Sequence, residues 1–116
     1  MTVKECYEMM GGDYEGVLSR LRKDERIEKF ALKFLDDGSY QLLCDSLAAG
    51  NYDEAFRASH TIKGVCQNLG FDKLHVSADA LTEKLRAKDT DGLETYVDRL
   101  KEDYAVTIQA IQGLLK

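Results

Sequence analysis

Apolar residues recur every three or four positions along nearly the whole chain. This spacing gathers apolar side chains on one side of an α-helix, whereas a half-buried strand would alternate apolar and polar residues, and no stretch does so convincingly. The chain also contains no proline, the residue that most strongly interrupts a helix. The pattern therefore predicts an all-α protein.

Breaks rich in glycine and aspartate divide this pattern into seven predicted helices. They cover residues 2–10, 13–21, 24–35, 40–49, 51–69, 72–85 and 91–115. Asp24, Asn51, Asp72 and Asp91 stand where a helix N-cap is expected. Gly70 is expected to end the fifth helix in the left-handed conformation.

The connections between these helices are short, so neighbouring helices must run antiparallel. We therefore predict an antiparallel four-helix bundle with accessory short N-terminal helices. No repeat or linker divides the chain, and residues 1–116 are expected to form a single domain, with the accessory helices in 1–23 and the helical bundle in 24–116.

The charge balance narrows the possible partners. The 116 residues carry 16 Lys and Arg against 21 Asp and Glu, a net charge of −5. This charge argues against nucleic acid as a partner, because such binding depends on cations set against phosphates. No apolar run approaches the roughly 20 residues of a membrane span, so we expect no membrane partner and a cytoplasmic protein.

The three cysteines and two histidines do not predict a metal site. Cys6, Cys44 and Cys66 are widely spaced without a C-x-x-C pair, and the histidines form no Glu-x-x-His motif. We therefore expect neither a disulfide framework nor a bound metal. The cysteines are expected to be small apolar residues in a reducing compartment.

The helix predicted over residues 51–69 has an unusual polar face. On a helical wheel, the arc that faces the core holds Ala55, Ala58, Ser59, Ile62, Val65, Cys66 and Leu69. The opposite arc holds Asp53, Phe56, Arg57, His60, Lys63, Gly64 and Gln67. The imidazole of His60 is therefore expected to point into solvent.

Two neighbours of His60 need an explanation. Gly64 stands in the middle of a well-capped helix, where glycine costs roughly 1 kcal/mol relative to alanine, and its missing side chain lets another molecule approach the imidazole. Lys63 supplies a cation that would favour a phosphoryl group or another anion beside the ring. An exposed imidazole, a cation and a gap together indicate a docking site for phosphoryl transfer.

The segment SHTIKGVCQNLG, residues 59–70, resembles the signature of the histidine-containing phosphotransfer (HPt) domain, whose motif is His-x-x-Lys-Gly. The resemblance continues through Leu74, Ala78 and Leu81 and covers roughly residues 13–110. It implies that His60 accepts a phosphoryl group from the aspartyl phosphate of one receiver domain and passes it to the aspartate of another. It also implies that Lys63 stabilises charge near the phosphoryl group and that Gly64 leaves room for the receiver.

The sequence departs from the family pattern at one position. Many members have Glu or Gln after the leucine that corresponds to Leu81, and that side chain can touch the imidazole. This chain has Thr82 there. Gln67, one helical turn beyond Lys63, is a second candidate for orienting the ring.

The resemblance implies receiver domains of response regulators, a hybrid sensor histidine kinase, or both, as partners. The sequence holds no glycine-rich phosphate loop of an ATPase or kinase, so the phosphoryl group must come from another protein. We therefore expect a phosphotransfer intermediate rather than an enzyme. It should need no cofactor of its own, with Mg²⁺ on the receiver. The chain has one carrier site and no second apolar helix face that a further copy could cover, which favours a monomer.

Other interpretations remain open at this point. The chain could be a non-phosphorylated helical interaction module that docks a receiver or kinase domain, although such a module has no reason to keep His60, Lys63 and Gly64 together. A helix-turn-helix DNA-binding protein is disfavoured by the acidic charge.

The residues around this motif are also candidates. Phe56, Arg57 and Gln67 are expected to help dock a partner, although the N-terminal helices could instead cover Phe56. His75 matches no motif position, and we expect it to be an ordinary surface histidine. Asp103 is expected on a solvated helix face.

Overall fold

The structure, a computed structural model, describes residues 1–115. Within that range it contains seven α-helices and no strand: α1 (Val3–Met10), α2 (Tyr14–Leu21), α3 (Asp24–Phe34), α4 (Ser39–Ala48), α5 (Tyr52–Leu69), α6 (Asp72–Arg86) and α7 (Leu93–Gln112). The predicted all-α class is confirmed, and every predicted helix is present. None of the seven helices is long and apolar enough to span a bilayer.

The last four helices form the bundle. They pack in chain order, α4 against α5, α5 against α6 and α6 against α7. Tyr40 of α4 stacks on Tyr104 of α7 with the ring centroids 3.7 Å apart, which closes the ring of four helices. Each helix also contributes a fully buried aliphatic side chain to the interior: Leu43, Ile62, Leu81 and Leu100. The predicted four-helix bundle is confirmed.

The first helices hold the C-terminal end of α5. The hydroxyl of Tyr7 in α1 donates a hydrogen bond to the carbonyl oxygen of Leu69 at 2.6 Å. The guanidinium of Arg20 in α2 donates to the carbonyl oxygen of Asn68 at 2.8 Å. A helix end leaves its last carbonyls without partners inside the helix, so these two bonds fix the end of α5.

The turn after α5 is as predicted, but most predicted N-caps are wrong. Gly70 has φ 70° and ends α5 in the left-handed conformation. The Asn51 side chain caps α5 by accepting a hydrogen bond from the backbone N–H of Glu54 at 3.2 Å. Asp24, Asp72 and Asp91 do not cap: the caps of α3 and α6 fall one residue earlier and that of α7 one residue later, each without a side-chain bond.

Two side chains expected at the surface are more enclosed than predicted. Asp103 is only 7% exposed, and its carboxylate lies 3.8 Å from the ammonium of Lys73. His75 is half-buried, and its Nε2 atom is covered without a hydrogen-bond partner among residues 1–115. Both residues lie on helices that pack against at least two other helices, so side chains at the border of an apolar stripe are covered from the adjoining helix.

Candidate functional site

The middle of α5 presents His60 to solvent. His60 is exposed, although residues close to it in the sequence are buried: Ala58, Ser59 and Ile62. The predicted division of α5 into a core face and an open face is therefore confirmed at these positions. A continuous helix of 18 residues with a side-chain cap at Asn51 holds the imidazole on a rigid backbone.

Three pairs of side chains join α5 to α6 beside this face. The pairs are Phe56 with Arg86, Ser59 with Thr82, and Lys63 with Asp79. The residue numbers rise along α5 while those of their partners fall along α6, as antiparallel packing requires. We call this line of contacts the α5–α6 seam. His60 lies on α5 between the second and third of these pairs, so the seam sets its position.

Thr82 does not orient the imidazole. It is fully buried, and its hydroxyl oxygen lies 2.7 Å from the carbonyl oxygen of Ala78 and 3.0 Å from the hydroxyl oxygen of Ser59. Its polar group is thus used inside the seam. The position where the resemblance leads us to expect Glu or Gln is thus part of the helix packing in this chain.

Lys63 reaches across the seam to α6. Its Nζ atom lies 2.8 Å from Oδ1 of Asp79. The Lys63 side chain is 25% exposed and that of Asp79 is 46% exposed. The hydrogen bond from Lys63 holds the pKa of the Asp79 carboxyl below its usual range. The cation predicted beside His60 is therefore already paired with a carboxylate, which the sequence analysis did not anticipate.

Gly64 leaves a gap in the open face. A Cβ atom added there would meet no heavy atom within 4 Å, apart from the backbone of its own helix. Its φ is not positive, so the backbone conformation does not require glycine. No neighbouring helix needs the space either. The gap is thus open to an approaching molecule, one helical turn from His60.

The other side of His60 is a shallow pocket of about 430 Å³. Phe56 forms its wall, with its ring centroid 5.9 Å from that of His60 and the planes tilted by 44°. The guanidinium of Arg86 lies 4.9 Å from the Phe56 ring centroid, so α6 rather than the N-terminal helices covers Phe56. Arg57 is exposed and pairs with Glu54 on its own helix. The sequence analysis missed Arg86, because no local spacing connects it to His60.

Gln67 is exposed on the same face of α5. It lies two helical turns from His60, roughly 10 Å along the axis. This separation puts its amide at the edge of the face rather than at the ring. The side chain that lies beside the imidazole is instead the aromatic ring of Phe56.

An apolar groove of about 370 Å³ adjoins the face on the side of α3. Val65 and Leu69 line it from α5, and Phe30 lines it from α3. Phe30 is 39% exposed although it is a large apolar residue. The sequence analysis missed this groove, because it depends on how α3 lies against α5.

No cluster of three or more His, Cys, Asp or Glu side chains suited to a metal ion occurs in the part of the chain that the structure describes. Cys6 and Cys66 are buried and Cys44 is half-buried, and none of them is paired in a disulfide. Burial raises the pKa of the Cys66 thiol to about 12 and that of the Cys6 thiol to about 11. These thiols are packing groups rather than nucleophiles.

A sequence model of the Hpt domain matches residues 30–110 of the chain, which is more than half of its 116 residues. The matched segment includes the whole of α4, α5 and α6 and most of α7. It therefore contains His60 and every contact of the α5–α6 seam. No curated protein and no solved structure matches the chain significantly.

Proposed function

The chain belongs to the Hpt domain family, whose members carry phosphoryl groups in two-component phosphorelays, and from this we propose that His60 is the residue that carries the group. In this proposal His60 accepts the phosphoryl group from the aspartyl phosphate of one receiver domain and passes it to an aspartate of another. The observation that carries the assignment is an exposed imidazole on a rigid helix with an unobstructed glycine one turn away.

The chemistry needs little from this chain beyond a nucleophile in a fixed position. A ring nitrogen of His60 attacks phosphorus with its lone pair, so a P–N bond forms and the P–O bond to the receiver aspartate breaks. The electron pair of that bond leaves with the carboxylate, and the proton on the other ring nitrogen passes to water. Transfer to the next receiver reverses these changes. Positioning and electrostatics supply the rate.

The open face of α5 is the proposed docking surface for the receiver. Gly64 allows the receiver backbone to come close to the imidazole. Phe56, Arg57 and Gln67 form the rim on α5, and Arg86 extends it onto α6. Because a phosphoryl group is an anion, the cations at this rim favour its approach.

The partners in this proposal are receiver domains of response regulators, of a hybrid sensor histidine kinase, or of both. The receiver brings the Mg²⁺ ion, and this chain needs no cofactor of its own. The protein acts as a monomeric phosphotransfer intermediate, without independent catalytic turnover. A cytoplasmic location fits three cysteines that are all free, because reducing conditions keep thiols unpaired.

The test uses a receiver domain charged with acetyl phosphate and Mg²⁺ and then mixed with the protein. We expect intact-mass measurement to show one added phosphoryl group on the wild type, lost on acid treatment as a phosphohistidine is. His60→Gln should take up none. His75→Gln removes the other histidine and is the matched control, which should accept the group as the wild type does.

The outcomes separate the two functions considered for this chain. Uptake by wild type and His75→Gln but not by His60→Gln supports the carrier. If no receiver in a panel charges the folded wild-type protein, the chain is instead a helical module that docks a receiver or kinase domain without chemistry. Uptake by His60→Gln would assign the phosphoryl group to another residue.

A further inference from the structure

The contact between Lys63 and Asp79 bears on the energetics of the proposed phosphohistidine. The ammonium of Lys63 is 2.8 Å from Oδ1 of Asp79, and the two residues lie on different helices. Residues three apart on a helix are neighbours, so Lys63 is also within reach of a phosphoryl group on His60. One cation therefore has two possible anionic partners.

The charges differ before and after transfer. With His60 unmodified, the Lys63–Asp79 pair is neutral overall. A phosphoryl group on His60 adds up to two negative charges to this face. The ammonium of Lys63 can then donate hydrogen bonds to both anions. The negative charge of the Asp79 carboxylate, however, offsets the positive charge of Lys63. Asp79 thus reduces the attraction that Lys63 offers the phosphoryl group.

The other cations at the rim differ from Lys63 in this respect. Arg57 and Arg86 pair with Glu54 and Glu83, each three residues away on the same helix and on exposed surface. Water and salt screen such pairs strongly. The Lys63 side chain is more enclosed than those of Arg57 and Arg86, and its partner lies on the neighbouring helix, so solvent screens this pair less than the other two.

We propose that Asp79 sets the phosphotransfer equilibrium of His60 toward release, by competing with the phosphoryl group for the Lys63 ammonium. Asp79 is a positioning residue in this proposal, because it acts through Lys63. The inference rests on the proposed function of His60 and adds a determinant of how readily the phosphoryl group is passed on. A carrier must hold its phosphoryl group weakly enough to give it up, and the Asp79 carboxylate supplies that bias.

The experiment measures transfer in both directions between this protein and one receiver. Forward and reverse initial rates give an equilibrium constant for wild type and for Asp79→Asn. Asp79→Asn should shift this constant toward the phosphorylated protein by about 1.4- to fivefold, the range for an exposed ion pair. The shift should shrink as salt is added. Asp98→Asn, which makes the same charge change at an exposed position on α7, should leave the constant unchanged.

A double-mutant cycle identifies Lys63 as the intermediary. Lys63→Gln alone should shift the equilibrium toward release, and adding Asp79→Asn to it should change nothing further. Asp79→Glu should keep the wild-type equilibrium. Circular dichroism of every variant should match that of the wild type, because both side chains are partly exposed.

Each outcome has a distinct meaning. If wild type and Asp79→Asn accept phosphoryl groups with the same equilibrium constant, this inference fails and the carrier function stands. If Asp79→Asn acts equally with and without Lys63, direct repulsion by Asp79 replaces the competition proposed here. If the wild type accepts no phosphoryl group at all, the proposed function fails and the inference fails with it.

Discussion

Ser59 and Thr82 hold their hydroxyl oxygens 3.0 Å apart inside the α5–α6 seam, next to the residue proposed as the phosphoacceptor. Ser59 is also 3.0 Å from the carbonyl oxygen of Phe56, and Thr82 is 2.7 Å from that of Ala78. Two hydroxyl protons therefore serve three contacts. This buried link between the helices fixes their register and, through it, the place of His60.

Removing either hydroxyl should weaken the fold without affecting the open face. Ser59→Ala and Thr82→Val should each lower the free energy of unfolding by about 1 kcal/mol, the usual value of a hydrogen bond in a protein. The double variant should lose less than the sum, because both single changes remove the same contact. Urea unfolding of the four proteins measures this. Strict additivity would show that the two hydroxyls do not interact.

Replacing Gly64 with a residue that has a side chain should stabilise the fold, whereas a large side chain there should hinder docking of the receiver. Gly64→Ala should raise the free energy of unfolding by about 0.5–1 kcal/mol, because alanine favours a helix and the added Cβ meets open space. Gly64→Gln should also fold, yet it should slow phosphoryl transfer by obstructing the receiver. Denaturant unfolding and transfer rates check the pair of variants. A destabilised Gly64→Ala protein would mean that a neighbour does occupy this space.

The hydroxyl of Tyr7 should matter for stability alone. Tyr7→Phe removes the 2.6 Å hydrogen bond to the Leu69 carbonyl, and we expect a loss of about 1–2 kcal/mol in the free energy of unfolding. Tyr14→Phe is the matched control, since the Tyr14 hydroxyl bonds the exposed carboxylate of Asp24 and its loss should cost less. Phosphoryl uptake should be normal in both variants. Reduced uptake by folded Tyr7→Phe would instead connect the end of α5 to function.

The buried thiols predict a loss of stability in alkali. Burial raises the pKa of Cys66 from 9.0 to about 12 and that of Cys6 from 9.0 to about 11. Above about pH 9 the unfolded chain loses thiol protons that the native state retains, so the free energy of unfolding should fall as pH rises. Below about pH 8 both states keep these protons, and the two thiols should add no pH dependence.

Urea midpoints between pH 7.5 and 10.5, about the range in which this linkage acts, measure the effect. Cys66→Ala should show a shallower alkaline decline than the wild type, although the lost side chain lowers its stability at every pH. Cys6→Ala should show a shallower decline as well, because burial also raises the pKa of the Cys6 thiol. An equal decline in all three proteins would assign the effect to other groups.

The helices and the open face of α5 could be predicted because both follow from local sequence. The apolar spacing identified every helix, and the step from His60 to Gly64 is one helical turn wherever the helix lies. The caps were harder to predict. Asp24 has the residue type of an N-cap, but its carboxylate accepts a hydrogen bond from the Tyr14 hydroxyl of another helix, a contact that no local pattern shows.

The partners across the seam could not be predicted for a related reason. Arg86 and Asp79 meet Phe56 and Lys63 only through the register of α6 against α5. That register depends on side-chain packing along the whole interface. Asp103 is buried for the same kind of reason, since its surroundings come from other helices. Local spacing predicts which face a residue is on, and the neighbouring helix decides what it meets.

The hydrogen bonds from α1 and α2 to the end of α5 limit how this domain could be fused to another protein. Tyr7 and Arg20 lie outside the segment that the Hpt domain model matches, yet they bind the last carbonyls of α5. The Tyr7 ring also packs on Phe71 with the centroids 5.7 Å apart. A chimaera that grafted only residues 30–110 onto a sensor kinase would lack Tyr7 and Arg20, so it would uncover the ring of Phe71 and leave those carbonyls to water. A working gene fusion must therefore carry the two leading helices along with the bundle.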